Sequence, residues 1–70
     1  MNSLYNIVEL IGTSKTSWED AAKRAVKAAS KSLRDLRVAE VVKQDLKIED
    51  GQVVAYRAKM RLSFKYESGD

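Results

Sequence analysis

The residues with the most chemistry in them are charged. Glu40, Asp45, Glu49 and Asp50 offer the carboxylate oxygens that a hard cation such as calcium takes. They lack the spacing of an EF-hand loop, and Glu49-Asp50 also reads simply as part of a turn. Arg57, Lys59, Arg61 and Lys65 recur at every second position, with Ser63 in the gap. An extended chain places such residues on one face. That basic row has three readings: a solvated face, a nucleic-acid surface, or an anionic small-molecule site or subunit interface built on Arg57 and its neighbours. Single-strand binders interleave stacking aromatics with positive charge, whereas Tyr56, Phe64 and Tyr66 fall on the opposite side of this strand. Trp18, at the start of a helix, reads as a core or interface anchor. The sequence has neither His nor Cys, which excludes imidazole acid–base chemistry, thiolate nucleophiles, Cys/His zinc sites and disulfides. It has no glycine-rich phosphate loop and no GxSxG, and nothing singles out a Ser–Lys pair. The chain therefore reads as a non-enzyme.

These residues must be positioned by few elements. Leu4–Ile11, with Tyr5, Ile7, Val8 and Ile11, predicts a strand. Gly12-Thr13-Ser14 predicts the turn that ends it. Thr16 with Glu19, or Ser17 with Asp20, fits a capping box, and both acids sit where the helix dipole favours negative charge. Trp18, Ala22, Ala25, Ala29, Leu33 and Leu36 then form one apolar helical stripe. So much alanine permits close approach and buries little apolar area. Val38–Ile48 predicts a second strand. Val38, Val42, Leu46 and Ile48 are expected on one face and Arg37, Ala39, Val41, Lys43, Asp45 and Lys47 on the other, with an imperfect alternation. Asp50-Gly51 predicts a type I′ hairpin. Gln52–Tyr66 is the clearest element: Val54, Tyr56, Ala58, Met60, Leu62, Phe64 and Tyr66 alternate with the basic row. Such a strand spans roughly 50 Å.

The order is β-α-β-β, an α+β fold. Placing the longest strand centrally gives strand order 1-3-2, a three-stranded antiparallel sheet with one helix on one face and no second layer on the other. The chain of 70 residues reads as a single domain, 1–70. A chain this small buries only about 60% of its unfolded surface. With no disulfide or zinc site available, self-association is the expected remedy. The first three residues and Glu67-Ser68-Gly69-Asp70 read as frayed. The net charge of +3 permits a polyanion partner without requiring one. No stretch approaches the ~18 consecutive apolar residues of a membrane helix. No signal-peptide pattern is visible, so a cytoplasmic protein is expected.

The opening Tyr5-Asn6-Ile7-Val8-Glu9-Leu10-Ile11-Gly12-Thr13-Ser14 closely resembles that of the dodecins. So do the following helix, Leu33-Arg34-Asp35-Leu36 and the last strand through Phe64. The resemblance implies a protomer of a hollow homododecamer that stores or scavenges small ligands. Most dodecins bind flavins, typically as stacked pairs, and some bind coenzyme A. Flavin-binding members usually carry tryptophan where this chain has Val38, and bacterial members usually carry glutamine at the place of Arg57 and arginine at that of Lys65. These three pocket positions are all altered. Aromatic stacking contributes about 0.5–1.5 kcal/mol per pair beyond area burial, so flavin is disfavoured as a cofactor. Thr16-Ser17-Trp18-Glu19, Arg37-Val38-Ala39, Gln44-Asp45 and Tyr56-Arg57 look instead like the divergent calcium dodecins. That likeness makes calcium a candidate ligand, with Asp45 as first metal candidate and Glu19 and Asp35 as alternatives. A small basic nucleic-acid-binding module is the alternative from another class.

Overall fold

The computed structural model describes residues 4–65. The expectations for residues 1–3, for Tyr66 and for the tail lie outside the described residues. Four elements follow in order: β1 (Tyr5–Ser14), α1 (Trp18–Ser30), β2 (Leu36–Glu49) and β3 (Gln52–Lys65). The sheet order is β1-β3-β2, antiparallel throughout, as the topology argument required. The longest dimension is 54 Å and the thinnest 14 Å.

The long strand sits centrally because it alone has two partners: Tyr5↔Lys65 to Ser14↔Tyr56 on one side, and Leu36↔Phe64 to Glu49↔Gln52 on the other. Its alternation sorts as read. Ala58, Met60 and Leu62 are buried under the helix, against Ala21, Ala25 and Ala29. Asp50 and Gly51 both take positive φ, 51° and 74°, as a type I′ turn demands.

Three local expectations are corrected. β1 does not end at Ile11 but runs to Ser14, with Gly12 paired to Ala58. Gly12 serves close approach rather than a turn: a Cβ there would lie 2.1 Å from the Ala21 carbonyl oxygen. The helix is shorter than its stripe. It stops at Ser30, Leu33 packs on the core from the connection, and Leu36 already belongs to β2. Asp35, at φ 57°, turns the chain, and its carbonyl accepts from the Lys65 amide at 3.1 Å. The face buried by α1 uses Ala21 with Ala25 and Ala29, while Ala22 is only half-buried. Third, β2 is not one simple alternation. The register shift at Val41/Lys43 reverses its phase, so Val38 and Leu46 face opposite sides of the sheet.

The helix start is built by side chains. Ser17 is the N-cap, extended at φ −168°, and its hydroxyl accepts from the Asp20 amide at 2.9 Å. The box is not reciprocal, because the Asp20 carboxylate turns away. It accepts from the buried Ser14 hydroxyl at 2.6 Å and from Arg24 Nε at 2.7 Å. Ser14 Oγ in turn accepts the Thr16 amide at 3.0 Å, closing the β1–α1 connection. These contacts hold the Asp20 carboxyl below its ordinary pKa, Ser14 contributing most and Arg24 next.

The helix covers β1 and β3 and scarcely reaches β2. Between α1 and β2 lies an open groove of about 410 Å³, lined by Ala22, Val26, Ala39, Val41 and Met60, with Lys23 and Lys27 at its rim. No helix among the described residues is long and apolar enough to cross a membrane.

Candidate functional site

The face of the sheet turned away from α1 carries Val38, Arg57 and Lys65, the three positions expected to line a pocket. On this face the register gives four successive rows across β1, β3 and β2: Ile7–Ser63–Val38, Glu9–Arg61–Glu40, Ile11–Lys59–Lys43 and Thr13–Arg57–Asp45. One end is apolar, with Tyr5, Ile7 and Val38 exposed by 51%, 61% and 59%. The middle is ionic.

Arg57 and Asp45 form its best-defined contact. Arg57 Nε donates to Asp45 Oδ1 at 2.7 Å and Nη2 donates to Oδ2 at 2.8 Å. This parallel, two-bond geometry is the guanidinium's preferred way to hold a carboxylate. The Arg57 hydrogen bonds, aided by the charges of Arg57 and Lys43, hold the Asp45 carboxyl below its usual range. The same pair raises the Arg57 pKa. Along the face, Glu9 accepts from Arg61 Nη2 at 3.1 Å and meets Lys59 Nζ at 3.5 Å. Arg61 also reaches Glu40 at 3.8 Å. Arg61, then Lys59, lowers the Glu9 pKa. The basic row is therefore interrupted by carboxylates at Arg57, Lys59 and Arg61, and Tyr56 and Phe64 face the helix side. The continuous cationic track with stacking rings that single strands require is not built.

The three positions expected to line a pocket do not converge within one chain. Val38 stands opposite Ser63, and Lys65 follows two residues further along the same face. Arg57 lies six positions from Ser63, about 20 Å at the rise of a strand. The metal candidates are also dispersed. Asp45 has both oxygens on Arg57. Glu19 is exposed on the first turn of α1. Asp35 lies beyond the other end of β2, about 30 Å from Asp45 along the strand, with Arg37 at 3.9 Å. No group of three acidic side chains that could hold a metal ion exists among the described residues. The described residues of one copy thus bring together no carboxylate cluster of the kind calcium takes.

Trp18 anchors within the chain. Its Nε1 donates to the Asp45 carbonyl at 3.0 Å, and its ring meets Tyr56 edge-on with centroids 5.3 Å apart. It therefore fastens the helix start to β2 and lies far along the sheet from Val38. Nothing in the alternation marks Glu9, Ser14 or Lys43 as partners of these groups. Only the cross-strand register brings them in.

The dodecin family profile matches residues 4–67. The calcium dodecin of Mycobacterium tuberculosis is 46% identical over 63 residues, covering 90% of this chain and 89% of that protein. A structure of dodecin from Streptomyces coelicolor superposes with a TM-score of 0.90 at 37% identity, covering 97% of each chain. A structure of the M. tuberculosis calcium dodecin, described as calcium-chelating with a novel calcium-binding site, superposes with a TM-score of 0.82 at 43% identity, covering 97% of each.

Proposed function

The chain belongs to the dodecin family, and on that premise we propose that it works as a homododecamer that binds or stores a small ligand or ion without transforming it. The observation that carries this reading is how little the chain covers of itself. Its buried apolar core is four alanines, Met60 and Leu62, whereas Tyr5, Ile7, Ile11, Val38 and Val41 all stand open. Exposed apolar area of this extent on both faces of the sheet is what further copies of the chain would cover.

The altered pocket directs the choice of ligand. Val38 presents a branched aliphatic group where a stacking ring would be needed, and Trp18 is committed to Tyr56 and Asp45. Flavin is accordingly the weaker reading. Calcium is the stronger, by likeness to the M. tuberculosis protein. Because the described residues of one copy hold no converging acidic set, a calcium site would combine carboxylates from several copies, Asp45 first among them. Val38, Arg57 and Lys65 would likewise meet across copies.

Native mass spectrometry of the purified protein tests both halves. Twelve chains of 7.9 kDa each carrying calcium is the expected result. A stable monomer would sink the assembly, and a dodecamer without saturable calcium uptake in calorimetry would remove the ion.

A further inference from the structure

The helix leaves a gap in the fold because Gly12 draws it to one side. With no Cβ at Gly12, the Ala21 backbone closes on β1, so α1 lies over β1 and β3 and scarcely touches β2. What remains is the groove of about 410 Å³ between α1 and β2. Ala22 and Val26 line one wall, Ala39 and Val41 the other, and buried Met60 the floor. A second hollow of about 130 Å³ shares Val26 and Ala39 and carries the trough on past Leu36 and Leu62. Its β2 side, from Leu36 to Val41, extends over about 17 Å at the rise of a strand. These side chains are all apolar, so an occupant must be apolar along its length.

The rim adds the second requirement. Lys23 and Lys27 line the helix side of the groove, one turn apart. Like charges at this spacing destabilise a helix. Among the described residues neither lysine forms an ion pair, whereas Arg24, Arg37, Arg57, Lys59 and Arg61 all do. No carboxylate among the described residues lines either hollow. The trough therefore offers a long apolar bed with uncompensated positive charge at one edge.

We propose that this groove binds a free single-chain fatty carboxylate, its alkyl chain along Val26, Ala39, Val41 and Met60 and its head group at Lys23 and Lys27. A second copy of the chain is the competing occupant. A two-fold contact through the groove would bring the lysine pairs of both copies to one seam, where they repel. The site is made by one chain, on the helix side of the sheet and apart from the Arg57–Asp45 pair. It rests on neither the dodecamer nor calcium.

The full chain, freed of copurified lipid on a hydrophobic resin, is titrated with monomeric laurate by calorimetry at fixed ionic strength. Saturable binding of one laurate per chain is expected. Decanoate, two methylenes shorter, binds about tenfold more weakly. Dodecyltrimethylammonium, with the same chain and a cationic head, binds more weakly than laurate. The double variant Lys23→Gln, Lys27→Gln changes only exposed positions and weakens laurate about fivefold. No saturation at millimolar laurate overturns the proposal, as does equal binding of the cationic amphiphile or unchanged affinity in the double variant. Methyl NMR locates the chain: shifts at Val26, Val41 and Met60 support the groove, and shifts confined to Ile7 and Ile11 on the open face overturn it. Light scattering of the same samples keeps the assembly question apart. A dodecamer that takes up no laurate refutes this site alone, and a monomer that binds laurate refutes only the dodecamer.

Discussion

Gly12→Ala is the smallest change with the largest expected effect on this fold. An added Cβ would sit 2.1 Å from the Ala21 carbonyl oxygen, 3.0 Å from its carbonyl carbon and 3.1 Å from the Ala25 Cβ. Two of these atoms are helix backbone, so no rotamer change relieves the clash. The helix must retreat by about 1 Å, and close-packed interiors do not absorb that. Overpacking costs typically about 1–3 kcal/mol, occasionally more. The upper end applies here, because Ala21, Ala25 and Ala29 would all lift from Ala58, Met60 and Leu62. Replacing a strand glycine returns about 0.5–1 kcal/mol of backbone entropy, leaving a net loss of about 2 kcal/mol. For a chain this size that is roughly 8–16 °C in Tm. Gly51→Ala is the matched control: it meets nothing within 4 Å but takes φ +74°, so it carries only the left-handed penalty of about 1 kcal/mol. Urea denaturation followed by circular dichroism, at one protein concentration because assembly shifts the midpoint, compares the two. If Gly12→Ala is no more destabilising than Gly51→Ala, the close helix–strand contact does not exist as described.

Three further outcomes follow from the same geometry. Val38→Trp is expected to strengthen riboflavin binding, read as quenching of flavin fluorescence; unchanged quenching would place the obstacle at Arg57 or Lys65. Trp18→Phe keeps a ring against Tyr56 but loses the indole donor to Asp45, so denaturation should show a loss of about 1 kcal/mol, while Trp18→Ala should lose clearly more; no loss in Trp18→Phe would refute the hydrogen bond, and equal losses would refute the ring contact. The folded Asp20 carboxyl titrates below its ordinary value because Ser14 and Arg24 stabilise its ionised form. Its contribution is therefore complete above the unfolded pKa and disappears as pH falls below about 4 toward the folded one. Asp20→Asn should flatten that part of the stability–pH curve, and a curve parallel to the parent's would contradict the assignment.

Legibility differed by element for physical reasons. β3 was readable because every second side chain is apolar and the others polar, and the hairpin because Asp50-Gly51 suits two consecutive positive φ values. Together they force the 1-3-2 order. The helical face was less determinate: alanine at both 21 and 22 makes two phases of the stripe equivalent, and contact with Gly12 selects the first. The Arg57–Asp45 pair was hidden by register. Folding the hairpin evenly about Asp50-Gly51 sets Arg57 opposite Gln44; the irregularity at Lys47/Ile48 moves it opposite Asp45. A second shift at Val41/Lys43 brings Val38 to the same face as Asp45. Mixed apolar and charged residues in β2 carry no period that would announce either shift. The pocket positions came from family likeness, and no property of Val38, Arg57 or Lys65 alone would have linked groups this far apart.

The pairing of the first strand with the last has a consequence in time. β2 and β3 meet through a two-residue turn, but Tyr5 has no partner until Lys65 exists. During synthesis β1 and α1 emerge before β3, so Val8, Leu10 and the alanine face must wait for Ala58, Met60 and Leu62 to complete their packing. The hairpin is expected to form first and to recruit β1 across a long loop, which is the slow step because that closure must precede its reward. Substitutions such as Leu10→Ala should then chiefly speed unfolding, and those near Asp50-Gly51 chiefly slow folding. Stopped-flow chevrons would expose the reverse order if it held.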